Sequence, residues 1–402
     1  MTIPRRTQVG IVGGGPSGQL LARLLHLQGI DVVVLEGRSR EHVEGRIRAG
    51  VLEQGTAAVL RTAGAAGRLQ SDGVEHDGFH VALNNRTTRV DLKKYAQSSV
   101  IVYGQTEMTK DLYRLNHADG IGMHYETKVR SITDLDAGTA RIHYELDGRS
   151  FELACDYVAG CDGFYSVCRR SMPDSVLRVY EKTYRFGWLG VLSNTRPASP
   201  EIIYCNHERG FALCSQRSAS VSRNYIQVEA VEAVEAWSDD AFWDELRRRL
   251  PDEIADNVQT GPGVEKSIAR LRSFVAEPLR CGRLFLVGDA GHIVPPTGAK
   301  GLNLAVSDTA MLASALTAHY ANGDERGIDR YSATALERIW NAERFSWWFT
   351  MATHKLSDNP FHQRMQVADL QYFTHSETGL ISITENYVGL PIVDPVTGNN
   401  LV

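Results

Sequence analysis

No stretch of this sequence approaches the ~20 consecutive apolar residues of a membrane span. Its opening residues, MTIPRRTQVGIVGGG, have no apolar segment or small-residue cleavage site of the signal-peptide kind. Positive charge is not in excess: 43 Lys and Arg against 48 Asp and Glu leave a formal charge of −5. That balance disfavours nucleic acid or an anionic membrane as the main partner. The six cysteines, at 155, 161, 168, 205, 214 and 281, include no CxxC pair. Neither a zinc site nor a redox dithiol is expected, and no metal. They read as reduced core thiols of a cytoplasmic enzyme. The composition, 43% apolar and 23% charged over 402 residues, is that of an ordinary globular protein long enough for two or three domains.

What is present begins at Thr7. In TQVGIVGGGPSGQLLARLLHLQGIDVVVLEGR, VGIV is a short apolar strand and GGGPSG a tight turn. QLLARLLHLQG is an apolar-faced helix closed by Gly29, and DVVVLE is a second buried strand. Gly13, Gly15 and Gly18 occupy the three positions of GxGxxG, with Ser17 among them, and Glu36 ends the second strand. This arrangement serves a dinucleotide. Gly13 makes the turn, Gly15 lets backbone approach a pyrophosphate, and Gly18 lets the helix pack on the strand. The helix N-terminus offers N–H donors to phosphate, and Glu36 accepts from an unphosphorylated ribose, as in NAD or FAD. A second fingerprint is absent, because GIG at 120–122 and GPG at 261–263 lack the strand–turn–helix setting. A nicotinamide donor is therefore expected to dock transiently.

Two later segments choose FAD. CDYVAGCDGFYSVCRR (155–170) is an apolar strand running into Asp162–Gly163, with Ser166 and Arg169 following. Within 282–316, the strand LFLVGD ends in Asp289, and a loop rich in proline and glycine leads into a helix from about Leu302. A carboxylate at that strand end suits a hydroxylated chain such as ribityl. The helix N-terminus at Gly301, Leu302 and Asn303 suits the polar edge of a ring that takes on negative charge.

In this order, GxGxxG, DGxxSxxR (Asp162 to Arg169) and a GDAxHxxxPxxGxGxN-like run (Gly288 to Asn303) resemble the single-component flavoprotein aromatic hydroxylases. Lys300 stands where most of that class has glycine. With GRIRAGVLEQG (45–55), VYGQTE (102–107), FALCSQRS (211–218) and ENYVGLP (385–391), it is similar to the branch that hydroxylates 4-hydroxybenzoate at the 3-position. The resemblance runs to about residue 391. It implies an α/β fold: a Rossmann-like FAD-binding domain, an inserted mixed or antiparallel β-sheet substrate domain and a helical C-terminal region. The expected divisions are 1–73, 98–180 and 268–350 for FAD, then 74–97 and 181–267 for the substrate sheet. A helical interface region is expected at 351–391 and a mobile tail at 392–402.

The same resemblance implies the chemistry and the partners. NADPH or NADH gives hydride to the flavin and leaves. O2 is activated at flavin C4a, and one oxygen goes ortho to the phenolate of 4-hydroxybenzoate. Arg46, Arg48, Gln105, Asp162, Asp289 and Lys300 are implied to join the glycines at the cofactor. Tyr165 and Arg272 lie on the implied nicotinamide route. Arg38 and Arg40 either bind a 2′-phosphate or are plain helix-surface charges. A homodimer is implied as well.

Residues 184–265 alternate as an antiparallel sheet does, and WSDDAFWDELRRRLPDE reads as a capped amphipathic helix with a solvated arginine face. Residues 211–228, FALCSQRSASVSRNYIQV, are two alternating runs about a polar turn, hence a β-hairpin. Ser215 and Arg217 share a face with Leu213, and Arg223 shares one with Tyr225 and Gln227. An inward face would then carry guanidinium groups that require an anion. An aromatic carboxylate suits Arg217, which offers two parallel hydrogen bonds. By resemblance, Ser215 and Tyr225 complete that grip and Arg223 supports the reduced flavin. Pro296 and Thr297 border the substrate, and Tyr204 and Tyr387 relay the phenol proton toward His76 at the surface. Tyrosine, with an ordinary pKa of ~10, serves only as a relay. Other readings stay open: a hydroxylase for 2- or 3-hydroxybenzoate, a flavin dehydrogenase that does not activate oxygen, or a redox sensor holding FAD structurally.

Overall fold

The computed structural model describes residues 3–45 and 50–402, so the expected cofactor contacts Arg46 and Arg48 lie outside the described residues. Among the described residues, no helix is long and apolar enough to cross a membrane.

The first of two eight-stranded sheets is parallel at its centre. Arg6–Val12 lies between Val32–Leu35 and Arg149–Gly160, with Gly122–His124 and Leu284–Leu286 outside them. Val9, Ile11, Val33, Val34, Val158 and Ala159 are all buried, because helices such as Pro16–His26 cover the faces of a parallel sheet. In register, Val12 pairs with Gly160 and Gly160 with Leu286. The three strands therefore end level. GGGPSG, the Asp162 turn and the Asp289 turn follow those ends and collect at one carboxyl edge, where open α/β sheets bind ligands.

The second sheet runs in the order His292–Ile293, Gly263–Glu277, Arg178–Ser193, Val221–Glu229, Ala212–Ser218, Ile203–Asn206, Gly78–Leu83 and Arg86–Asp91. Its neighbours are antiparallel except Ile203–Asn206 with Gly78–Leu83. One face carries Phe79, Trp188, Tyr204, Phe211 and Leu213 and closes on Phe345, Phe349, Leu370, Ile383 and Tyr387. Those residues belong to helices Arg326–Thr353, Pro360–His375 and Glu377–Val388. The other face, with Leu189, Ile203, Cys214 and Ile226, is covered by Phe242, Trp243 and Leu246 of helix Asp239–Arg249.

Several expectations need correction. Strands Arg178–Ser193 and Gly263–Glu277 run unbroken across the borders placed at 181 and 268, pairing with each other on both sides of them. The expected divisions at 181 and 268 therefore fall within paired strands. Of the arginines read as a solvated face, Arg249 turns inward. It donates to Glu245 Oε1 at 2.9 Å and to the Phe211 and Gln227 carbonyls at 3.0 and 2.8 Å, meeting a need for donors at the end of the hairpin. The stretch 392–402, expected to be a mobile tail, is folded back on the protein. Ile392 is buried, and the Leu401 N–H donates to its carbonyl at 2.7 Å. Asp394 accepts from Ser314 Oγ and Thr397 Oγ1, both at 2.8 Å. An apolar anchor and a turn that satisfies its own polar groups are enough to dock it. All six cysteines are free.

Candidate active site

The glycine turn has the geometry of a phosphate cradle. Gly13 has φ of 104°, and a Cβ there would meet the Cys161 carbonyl oxygen at 2.3 Å. A Cβ on Gly18 would meet the Gly13 carbonyl oxygen at 2.0 Å. At Gly15 a Cβ would meet nothing within 4 Å. Open space thus faces the N-terminus of helix Pro16–His26, whose first N–H groups have no partner within the helix. Ser17 is on that first turn, its Oγ facing Gly288 of the neighbouring strand end. Glu36 Oε2 accepts from the Gly14 N–H at 2.6 Å and Oε1 from the Arg38 N–H at 2.7 Å, which fixes its carboxylate beside the turn.

At the adjacent strand ends, Asp162 Oδ2 accepts from the Val167 and Cys168 N–H groups at 2.6 and 3.1 Å, while its Oδ1 is buried without a partner. Asp289 is exposed at the mouth of the same edge, and Gln105 opens helix Gln105–Ala118. An open phosphate cradle, a fixed carboxylate for ribose and an exposed one for ribityl fit FAD.

Two expected cofactor side chains are instead consumed by the protein. The Lys300 ammonium is buried, donating to Glu53 Oε1 and to the Tyr387 carbonyl, both at 2.8 Å. Asn303 Oδ1 accepts from the Glu53 N–H and Thr56 Oγ1 at 2.9 and 2.8 Å, while its Nδ2 donates to the Val51 and Ala299 carbonyls, both at 2.9 Å. With Gly301 and Leu302 they form the start of helix Gly301–Asn322, which can offer the cofactor main-chain N–H groups only. Arg223 is a third correction. It makes a bidentate pair with Glu265 at 3.1 and 3.2 Å, because both residues flank Leu192 across one strand. Its charge is already balanced by Glu265.

On the expected nicotinamide route, Tyr165 is 82% exposed beside Phe164. The Arg272 guanidinium lies 4.0 Å over the Phe164 ring and pairs with Glu181 at 3.4 Å. Arg38 is exposed, whereas Arg40 Nε is bonded to Glu44 of its own helix at 2.6 Å. Arg38→Ser is therefore expected to change the NADPH-to-NADH efficiency ratio more than it changes hydroxylation, and Arg40→Ser to leave the ratio near its starting value. Steady-state kinetics with both donors checks this; an unchanged ratio for Arg38→Ser makes that arginine a surface charge.

The hairpin of Ala212–Ser218 and Val221–Glu229 presents one face to the aromatic layer. Ser215 pairs with Arg223 and Leu213 with Tyr225, with a bulge at Arg217. Arg217 Nη1 donates to the Gln216 carbonyl at 3.1 Å, and its Nε is buried without a partner. No acidic group is ion-paired with it among the described residues. Burial pushes its pKa below the usual arginine range, and Tyr225 opposes that shift. The Ser215 hydroxyl donates to the Arg223 carbonyl at 2.7 Å. Since a carboxylate only accepts, Ser215 must rotate before it can assist.

Tyr204 lies beside Leu213 on the neighbouring strand, and its hydroxyl is 3.1 Å from that of Tyr387. Burial pushes Tyr204 up to about 12 and raises Tyr387 well above the ordinary phenol range. Pro296 is exposed at the turn above, and Thr297 is held by Thr350 Oγ1 at 2.8 Å. His76, expected at the surface, is only 2% exposed. Its Nε2 is 2.7 Å from Gln216 Nε2, while Nδ1 is buried without a partner. Burial lowers its pKa. Gln216 reaches it from the hairpin, a contact that sequence position does not reveal.

Sequence reasoning missed three supports. Glu53 receives both Lys300 and Arg338. Phe79 stacks on Tyr387 at 4.2 Å between ring centres. His354 accepts from Trp188 Nε1 at 2.6 Å and stacks on Phe211 at 4.1 Å. The motif segment VLEQG contains Glu53, but nothing local marks it as buried; the other two carry no sequence signal.

A family model described as an FAD binding domain matches residues 6–346. The p-hydroxybenzoate hydroxylase of Acinetobacter baylyi (strain ATCC 33305 / BD413 / ADP1) is 49% identical over 388 residues, 96% of this chain and 96% of that protein. A 3-(3-hydroxy-phenyl)propionate/3-hydroxycinnamic acid hydroxylase of Burkholderia cenocepacia is 27% identical, over 77% of this chain and 56% of that one. Among solved structures, p-nitrophenol 4-monooxygenase PnpA from Pseudomonas putida DLL-E4 has the same fold, with a TM-score of 0.78 and 21% identity over 96% of this chain and 99% of that one. Read with the phosphate cradle and the level strand ends, these matches establish that the chain belongs to the FAD-binding flavoprotein hydroxylase family, with FAD as its cofactor.

Proposed function

We propose that this enzyme hydroxylates 4-hydroxybenzoate at the 3-position, consuming NADPH or NADH and O2 and giving 3,4-dihydroxybenzoate and water. One observation carries the reading. Arg217, whose Nε is buried without a partner and which has no ion-paired acid among the described residues, lies on the hairpin strand next to that of Tyr204, whose buried hydroxyl is 3.1 Å from that of Tyr387 on helix Glu377–Val388. A cation to grip a carboxylate and a hydroxyl pair to receive a phenol are what a para-hydroxylated aromatic acid needs.

Bound FAD supplies hydride acceptance and oxygen activation; the side chains supply position and proton management. Arg217 anchors the carboxylate with two parallel charge-assisted bonds, supported by Tyr225 and by Ser215 once rotated. Pro296 and Thr297 border the ring. Tyr204 accepts from the substrate hydroxyl and donates onward to Tyr387. Neither tyrosine ionises near neutral pH, so each passes a proton only by giving up its own. The relay makes the ring phenolate-like and electron-rich, as attack on electrophilic oxygen requires. His76 is its proposed far end. Among the described residues no direct hydrogen bond joins His76 to Tyr387; the nearest hydrogen-bond partner of His76 is Gln216 of the hairpin. A cytoplasmic homodimer completes the proposal; Trp340, Trp347, Phe361, Met365 and Tyr372, exposed on the outer helices, support a partner there.

Oxygen uptake with product identification, using 2-, 3- and 4-hydroxybenzoate in turn, tests the reading. Product from the para isomer alone is expected; reduction without oxygen incorporation makes the protein a dehydrogenase. Arg217→Lys should weaken 4-hydroxybenzoate binding by about 2–3 kcal/mol, roughly 30- to 150-fold, with FAD content near full. Spectral titration measures this, and unchanged affinity removes Arg217 as the anchor.

A further inference from the structure

We infer that residues 392–402 act as a clasp that positions Tyr387 and so keeps nicotinamide oxidation coupled to hydroxylation; the coupling clause rests on the function proposed above. Tyr387 lies in the last turn of helix Glu377–Val388. The chain leaves that helix through Gly389, at φ of 98°, where an added Cβ would meet the Glu53 carboxylate at 2.0 Å. Two buried cations then grip the main chain through that one carboxylate. Lys300 Nζ holds Glu53 Oε1 and the Tyr387 carbonyl, both at 2.8 Å. Arg338 donates to Glu53 Oε2 at 2.6 Å, to the Pro391 carbonyl at 3.1 Å and to the Leu390 carbonyl.

Leu390 and Pro391 offer these cations only backbone oxygens. Pro391 is exposed and Leu390 half-buried. The residues beyond Pro391 add side-chain anchors to that main-chain grip. Ile392 is 2% exposed and lies against Gly55, at 3.5 Å from where a Cβ would be. Val396 occupies the space a side chain at Gly327 would need, 2.7 Å from its ideal Cβ. Asp394 is held by Ser314, and the segment closes on itself through Leu401 to Ile392 and Asp394 to Asn399. Gly55, Ser314 and Gly327 belong to three different helices, Gln54–Thr62, Gly301–Asn322 and Arg326–Thr353. The clasp therefore ties the exit of the Tyr387 helix to the body that carries the cofactor site.

Slack at that exit matters because the Tyr204–Tyr387 contact, at 3.1 Å, is already at the long end for two hydroxyls. A drift of a few tenths of an ångström breaks it. Arg217 and the glycine cradle lie elsewhere and keep their geometry.

The test uses the holoenzyme truncated after Pro391, with Asp394→Ala/Val396→Ser as a milder full-length variant. In the ligand-free proteins, amide exchange at Thr384–Val388 should quicken about tenfold while helix Pro360–His375 is unchanged. With 4-hydroxybenzoate, product formed per nicotinamide oxidised should fall by about half or more, with FAD retained; a role in stability alone would lower the melting temperature and leave that ratio intact. Unchanged exchange overturns the clasp, and faster exchange with unchanged product yield overturns its coupling role. Where truncation prevents folding, the full-length variant decides on the same two readouts. Failure of the parent to oxidise 4-hydroxybenzoate overturns the proposed function, and exchange still decides the clasp.

Discussion

Tyr204→Phe is expected to yield a protein that binds 4-hydroxybenzoate, accepts hydride at a near-normal rate and forms little dihydroxybenzoate. The substitution removes one hydroxyl from a buried pair and changes nothing at Arg217 or at the glycine turn. Tyr387 loses its partner at 3.1 Å, a cost of about 1 kcal/mol that the fold can absorb. What is lost is the route by which the substrate hydroxyl gives up its proton. A neutral phenol is a poor nucleophile, and loss of one acid–base contributor typically slows the step concerned by ~10²–10⁴. Activated oxygen is then released as hydrogen peroxide. Stopped-flow reduction, oxygen uptake with and without catalase, and chromatography of the product measure the three parts. A variant that stays tightly coupled rules out the relay.

The second large effect is expected at Gly15. Its backbone, φ −67° and ψ −176°, is extended and open to any residue, and a Cβ there meets no protein atom within 4 Å. Gly15→Val should therefore fold. Its side chain occupies the space in which a pyrophosphate would sit, so FAD affinity is expected to fall by about 10³-fold or more, some ~4 kcal/mol. The purified protein should be colourless with a melting curve close to that of the parent apoprotein. Gly18→Val is the contrasting control, because its Cβ meets the Gly13 carbonyl at 2.0 Å and damages the fold itself. A yellow, active Gly15→Val enzyme would falsify the cradle assignment.

What could be read from the sequence was what local chemistry specifies. The turn at Gly13 requires positive φ, the spacing to Gly18 sets the first helix on its strand, and the alternation about Ser215 and Arg223 states a hairpin with polar groups on an inward face. Beyond reach were contacts whose partner is remote in the chain. Glu53 reads as an ordinary helix-start acid until Lys300 and Arg338 arrive from 247 and 285 residues away. Asn303 sits in a motif that suggests a ligand, yet its amide is spent on Val51, Glu53 and Thr56. Arg249 belongs to a basic run that looks solvated because the carbonyls it serves are on the hairpin. His76 is buried and bonded to a glutamine on that same hairpin. A segment such as 392–402, whose Ile392, Val393, Val396, Leu401 and Val402 follow neither helix nor strand spacing, gives no pattern by which docking can be told from mobility.

The level ending of strands Arg6–Val12, Arg149–Gly160 and Leu284–Leu286 has a consequence for assembly. The cradle is synthesised first, but its wall at Asp289 follows strand Leu284–Leu286, made after most of the chain has emerged. That strand pairs in parallel with Arg149–Gly160. Such long-separated parallel pairing is slow to form. Once all three ends meet, cofactor capture adds its binding free energy to the completed fold alone. Flavin uptake therefore acts as a late check on topology, drawing correctly closed sheets out of the pool of partly folded chains.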